Sequence, residues 1–223
     1  MNEILNDYVL KYSKGDTVKY ISHLDFVRTF GRAVRRSGLQ MAYSSGFNPH
    51  PILTVAMPLS VGVTSEGEYL RIRFVDDLEP EYIKEKLNSV LPIGLKILDV
   101  KRVSGKQMDF AKIDRAKYIV DVELAENMEV PVAEFLANKS LLVMKKSKSG
   151  EKEADIREHI HELKIEKTDG NIVTFAMCLS AGSQYNLKPD TVIAAMEKYI
   201  DGFKAEFFSV HRVCMLAGDI LYM

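Results

Sequence analysis

Four stretches of this chain carry residue types whose spacing could do chemistry. The first holds Arg28, Arg32 and Arg35, at i, i+4 and i+7, with Arg36 beside them and Asp25 as the nearest acid. On a helix that spacing places three guanidiniums on one face. Planar guanidiniums grip phosphates through paired N–H donors. The bland alternative is a solvated face whose charges pair with acids elsewhere.

The second stretch is Tyr43-Ser-Ser-Gly-Phe-Asn-Pro-His-Pro51. Gly46, Pro49 and Pro51 impose an unusual backbone path, so Phe47, Asn48 and His50 are presented on a stiff loop. Phe47 could stack on an unpaired base. Asn48 offers a donor and an acceptor for a base edge. Alternatively the prolines only shape a turn and Phe47 plugs the core. Gly62-x-x-Ser65-x-x-Glu68 follows, and Glu68 is expected to contact the same loop.

The third stretch is the lysine run from Lys145 to Lys152, followed by Asp155-Ile-Arg157. A basic hairpin tip could sample a phosphate backbone, or be a soluble turn. In a strand, Asp155 and Arg157 would share a face, where the arginine favours the charged carboxylate. That suits a binding or basic group, and equally a structural ion pair. The fourth stretch runs from Ala181 to Asp190. Ser183, Asn186 and Lys188 would surround an anion at the start of a helix opening at Pro189. No GxxxxGK[ST] is present, so no nucleoside triphosphate site is implied. His159 and His161 would share a strand face but have no third ligand nearby in sequence, and no metal site is expected. An enzymatic alternative brings His23, Asp25 or His50 near Asp155 and Arg157 in a cleft between two halves, with Asp155 or a histidine acting as general base or nucleophile on a nucleoside.

Hydrophobic periodicity supplies the elements that must position these residues. Tyr8 to Ser13 alternates as a strand. Ser22-x-x-Asp25 reads as a capping-box variant, opening a helix from His23 to about Ser37 with an apolar stripe of Leu24, Val27, Gly31 and Val34. Met41 to Met57 reads as one or two short strands, Tyr69 to Val75 as a strand, Glu79 to Leu91 as a helix and Leu95 to Val103 as a strand. The pattern recurs as a strand at Tyr118 to Leu124, a short helix at Val130 to Asn138 and a strand at Leu141 to Lys146. A hairpin of Ile160 to Glu166 and Ile172 to Leu179 turns at Asp169-Gly170. A helix at Pro189 to Ile200 and a strand at Phe207 to Leu216 close the chain. The reading is α+β, with two tandem ferredoxin-like (βαββαβ) domains: residues 1–104, a linker at 105–116, and residues 117–223 with an inserted β-hairpin. A single mixed domain with one continuous sheet is the competing arrangement.

Composition bounds the rest. The chain has 223 residues, 47% of them hydrophobic, with 30 Lys+Arg against 31 Asp+Glu and a formal net charge of −1. Nucleic-acid contact would therefore need a local basic patch. No RRM-type RNP1 string is present. No apolar run is long enough for a transmembrane helix, so no membrane partner is expected. Met1 to Asp7 is polar, without a signal-peptide core. Cys178 and Cys214 form no CxxC pair, which fits a reduced, cytoplasmic setting.

On Ser22-His-Leu-Asp25, Gly46-Phe-Asn-Pro-His-Pro51, Ala56-Met-Pro-Leu59 with Gly62-x-x-Ser65-x-x-Glu68, Asp155-Ile-Arg157 and Asn186-Leu-Lys-Pro189, the chain resembles the radical SAM-linked protein family. Its members are encoded beside, or fused to, radical S-adenosylmethionine enzymes in bacteria. The resemblance covers nearly the whole chain. It implies a radical SAM enzyme as partner, with the iron–sulfur cluster and S-adenosylmethionine held by that partner, since no CxxxCxxC is present here. The expected function is a structured-RNA-binding accessory module that presents tRNA or rRNA to the partner. Arg28, Arg32, Arg35 and Lys188 would contact phosphates; Phe47, Asn48 and His50 would contact an unpaired nucleotide. A pure protein-interaction scaffold for the partner enzyme is the third alternative.

Overall fold

A computed structural model describes residues 6–104, 108–147, 150–218 and 220–223. The chain divides into two compact units, residues 1–112 with Tyr222–Met223, and Ile113–Leu221. The second unit thus takes in the last residues of the stretch expected as linker.

The first unit runs β1 (Asp7–Lys14), α1 (His23–Arg36), β2 (Leu53–Val55), β3 (Thr64–Arg73), α2 (Pro80–Asn88) and β4 (Leu95–Val103). Its strands lie in the order β4-β1-β3-β2, every neighbouring pair antiparallel. Asp7 stands opposite Arg73 and Lys14 opposite Ser65. At the Asp7 end, Arg73 grips the Asp7 carboxylate through two bonds of 2.7 and 3.1 Å, which accounts for a buried aspartate there. Alternation places Tyr8, Leu10, Leu70, Ile72 and Ile97 in one core with Phe26, Phe30 and Val34 of α1 and Ile83 and Leu87 of α2. Both helices therefore cover one face of the sheet.

The capping reading of Ser22 holds. Its hydroxyl accepts from the Asp25 backbone N–H at 3.2 Å and donates to the Asp25 carboxylate at 2.8 Å. The expected apolar stripe is corrected. Leu24 is 65% exposed, while Phe26, Phe30, Ala33 and Val34 are buried. Two phenylalanines a turn apart bury more apolar area than Leu24 and Gly31, and so they set the rotation of the helix. Tyr12 stacks on Phe26 with ring centroids 4.9 Å apart and locks that rotation to the sheet.

The second unit runs β5 (Arg115–Leu124), α3 (Val132–Ala137), β6 (Leu142–Ser147), β7 (Gly150–Asp155), β8 (Ile160–Asp169), β9 (Ile172–Ser180), α4 (Pro189–Tyr199), β10 (Ala205–Ala217) and β11 (Ile220–Leu221). Its sheet is ordered β10-β5-β9-β8, antiparallel at each pair, with β11 folded back on β10. β6 and β7 form a separate hairpin, tied to α4 by the bond from the Leu142 N–H to the Tyr199 hydroxyl (2.9 Å). The stripe expected on α4 is buried as read, at Val192, Ile193, Met196 and Ile200. Cys178 and Cys214 both lie across from Lys117, on strands either side of β5. That separates them by two strand spacings, about 9–10 Å, too far for a disulfide.

Among the described residues the chain is α+β, and no helix is long and apolar enough to cross a membrane. Two glycines make the packing testable. Gly182 has φ +139°, and a Cβ there would run into the Ile113 carbonyl; Gly170, at φ +60°, faces open space. Gly170→Ala should cost about 1–2 kcal/mol, the left-handed penalty alone. Gly182→Ala should cost distinctly more, because a backbone clash is added. Urea midpoints of the two variants check the ordering.

Candidate functional site

α1 turns its guanidiniums to solvent. With Phe26, Phe30, Ala33 and Val34 inward, Arg28, Arg32 and Arg35 occupy the opposite face, all exposed. Arg28 makes a weak ion pair with Asp25 at 3.4 Å. Arg36 donates to the Val90 carbonyl at 3.0 Å and is committed to holding α1 against the end of α2. Neither Arg32 nor Arg35 has an ion pair among the described residues. The exposed Leu24 lies on the same face.

The loop before β2 is a braced finger. Met41 bridges Phe74, and Tyr43 bridges Pro51. The Ser44 N–H donates to the His50 carbonyl at 2.9 Å, the His50 N–H donates to the Ser44 hydroxyl at 3.1 Å, and that hydroxyl lies 2.8 Å from His50 Nδ1. His50 therefore positions the loop, and its tip carries Phe47, fully exposed, beside the exposed Asn48. Phe47 does not plug the core.

These features sit at different places along the unit. β1 ends at Lys14, where α1 begins, and α1 returns to the end marked by Asp7, Arg73 and Phe74, where the finger emerges. His23 and Asp25 are thus separated from His50 by the length of α1, about 21 Å for 14 residues at 1.5 Å each. The grouping of His23, Asp25 and His50 in one catalytic cluster is not formed. Glu68 pairs in register with Tyr12 on the helix-covered face and is fully buried.

What sequence reasoning missed is Lys14. Its side chain is buried at the end of β1, and Nζ donates to the carbonyls of Lys19 at 3.0 Å and Ile21 at 3.4 Å. Burial pushes its pKa down, against the opposing pull of the nearby Glu68 charge. It lines a small cleft, open to solvent, together with Tyr12, Ser22, His23, Phe26 and Leu59. Lys14 continues the alternation of Tyr8, Leu10 and Tyr12 along β1, and nothing in its residue type separates it from a solvated strand-end lysine.

In the second unit the expected strand pairing of Asp155 and Arg157 does not occur. Asp155 ends β7, and Arg157 opens a 3-10 turn. The Asp155 carboxylate accepts from the N–H groups of Arg157 (3.0 Å) and Leu141 (2.9 Å). Those donors, with Ser140, hold its carboxyl below the usual range. The Arg157 side chain instead donates to the Leu136 carbonyl at 2.8 Å. Both residues close the base of the β6–β7 hairpin. Lys148 and Ser149, within the lysine run, lie outside the described residues.

Ser183, Asn186 and Lys188 are exposed before α4, but the first turn of that helix is already served by its own acid. The Asp190 carboxylate accepts from the Thr191 N–H at 2.8 Å. An anion at this helix start would meet that charge. Nearby, His159 Nδ1 and His161 Nε2 lie 3.2 and 2.8 Å from the Ser180 hydroxyl, and Tyr185 stacks on His159. One hydroxyl proton serves one ring; the other ring must donate. No group of three or more metal-binding side chains is found among the described residues.

The family described as "Uncharacterized protein conserved in bacteria (DUF2344)" matches residues 7–189. No curated protein matches the chain. Among solved structures, a chain of "Crystal Structure of a Cbf5-Nop10-Gar1 Complex" is similar with a TM-score of 0.50 and 10% identity, over 93% of this chain and 48% of that one. A chain of "Structure of H/ACA RNP bound to a substrate RNA containing 2'-deoxyuridine" has a TM-score of 0.49 and 9% identity, over 92% of this chain and 46% of that one. At such identity the first likeness concerns the fold alone. The chain spans about half the length of either.

The role of Asp155 is testable. A carboxyl held below its unfolded-state value near 3.8 stabilises the fold above that pH, and the stabilisation is lost as pH falls through the folded value. Asp155→Asn should therefore lower the urea midpoint at pH 7, by about 1 kcal/mol for weakened bonds. The gap from wild type should close progressively below pH 3.8.

Proposed function

For a chain that belongs to the bacterial family DUF2344, we propose that it is an RNA-binding accessory module that presents a structured RNA, of tRNA or rRNA type, to a radical SAM enzyme. The observation that carries this reading is the solvent face of α1, where Arg28, Arg32 and Arg35 stand in a row with Asp25 as their one ion-pair partner among the described residues. Such a row supplies phosphate contacts without a basic chain overall. The finger adds what phosphate contact lacks. Phe47 is an exposed aromatic on a loop braced by Ser44 and His50, and Asn48 next to it has donor and acceptor atoms for a base edge.

In the same reading each unit is a ferredoxin-like βαββαβ repeat. Supporting this, the two helices of the first unit connect strands ordered fourth, first, third, second, and the four main strands of the second unit follow the same order. The partner enzyme would bring the iron–sulfur cluster and S-adenosylmethionine. The residues of this chain do not fit a cluster: Cys178 and Cys214 are buried and stand on either side of β5. A cytoplasmic setting belongs to the proposal and keeps both thiols reduced.

Binding of the whole chain to a tRNA pool, followed across salt concentrations, tests it. Wild type should bind with a clear salt slope. Arg28→Ala/Arg32→Ala/Arg35→Ala should reduce that slope by about 2–3, at 0.7–0.9 per phosphate lost. Phe47→Ala should weaken binding by about 1–3 kcal/mol with the slope unchanged. Absence of binding at about 50 mM salt, where phosphate contacts are strongest, would overturn the reading. Capture of the partner enzyme without RNA would favour a scaffold instead.

A further inference from the structure

We propose that Ser180 is a nucleophile for acyl transfer from a small carboxylic ester, with His159 as its base. Every group involved belongs to the second unit, so the proposal does not rest on the RNA reading of the first. Ser180 ends β9, and the turn at Arg157–His159 and the start of β8 bring two imidazoles to it. His159 Nδ1 lies 3.2 Å and His161 Nε2 2.8 Å from the one hydroxyl oxygen. Ser180 is half-buried and His161 exposed, so the cluster lies at the surface.

The neighbours assign the protons. The Glu158 carboxylate is 3.5 Å from His159 Nε2 and favours the ring proton there, which leaves Nδ1 to accept the Ser180 proton. The hydroxyl oxygen then accepts from His161 Nε2–H. Burial and the Arg115 charge push the His161 pKa down, against the pull of Asp114, so this ring stays neutral at pH 7. Tyr185 stacks on His159 with ring centroids 3.4 Å apart and planes 11° from parallel, which fixes the plane of the base. A hydroxyl bonded to a base that a third group orients is the arrangement that activates a serine.

In the step, His159 Nδ1 takes the hydroxyl proton while Ser180 Oγ adds to the ester carbonyl carbon, and the C=O pair moves to oxygen. The bond from His161 Nε2–H stabilises the charge that develops on Oγ. The Ala181 N–H is committed to the Asp114 carbonyl at 2.7 Å, so the N–H groups of Gly182 and Ser183 are the next donors along the chain for the oxyanion. The bond to the leaving group then breaks, and the leaving alkoxide takes the proton from His159. Water repeats the sequence on the acyl-serine, which releases the acid and restores Ser180.

A fluorophosphonate, which labels activated serines and stops there, tests this on the wild-type chain at pH 7, with peptide mass spectrometry reporting the rate at each serine. Ser180 should be labelled about a hundred-fold or more faster than the exposed Ser183, the lower end of what a positioned base supplies. p-Nitrophenyl acetate should acetylate the same residue. His159→Gln should bring Ser180 down to the Ser183 rate, with far-ultraviolet circular dichroism showing the fold retained. A hydroxyl that only ties the two rings together would react no faster than Ser183. That result in the wild-type chain overturns the proposal, and it needs no variant to fold. Fast labelling that persists in a folded His159→Gln variant overturns the assignment of the base.

Discussion

Burial of Phe26 and Phe30 fixes the rotation of α1, and most of what the first unit can do follows from that constraint. Each aromatic ring removed from water contributes roughly 1.5–3 kcal/mol, and Tyr12 stacks against the first of them. Turning the helix to bring Leu24 inward would expose both rings and drive guanidiniums towards the core, where unpaired charge is far more costly. The arginines face outward because the phenylalanines leave no other rotation. The start of the helix is fixed as well, since Ser22 caps it and Lys14 ties the preceding turn through the carbonyls of Lys19 and Ile21.

The first unit then carries chemistry at three levels along one helix. A small cleft with a buried amine lies at its head. Three guanidiniums run along its outer face, with Arg28 and Arg35 separated by about 10 Å along the axis. The finger bearing Phe47 emerges at its far end. The middle level is charged and sequence-blind, and the finger is aromatic with a single amide beside it. Phosphate contacts position and base contacts specify, so the division between Arg28, Arg32 and Arg35 on one hand and Phe47 and Asn48 on the other suits a module that recognises an unpaired nucleotide within a structured RNA.

Much of the fold was legible in local pattern. The strand at Leu95–Val103 and the turn at Asp169-Gly170 fall where alternation and turn chemistry put them. α1 opens at the residue its cap implies. The rotation of α1 was not legible from spacing alone, because Leu24, Val27, Gly31 and Val34 also fit a helical period. Ring size decided between the two stripes, and only tertiary packing weighs ring size. Lys14 was hidden for the opposite reason: a lysine at a strand end is ordinarily solvated, and its partners are carbonyls, which leave no mark in a sequence. The Asp155 and Arg157 pair looked like a site because two charged residues two apart share a strand face. The strand ends between them, and each side chain serves a different stretch of backbone. The finger was legible because Gly46, Pro49 and Pro51 announce a special path, although its exposure was not.

Ultraviolet crosslinking of the intact chain to a tRNA pool, with the crosslinked peptides mapped by mass spectrometry, reads the central claim most directly. Adducts concentrated in residues 23–36 and 43–51 are the predicted result. Adducts confined to other segments, with those two stretches unmodified, would contradict it.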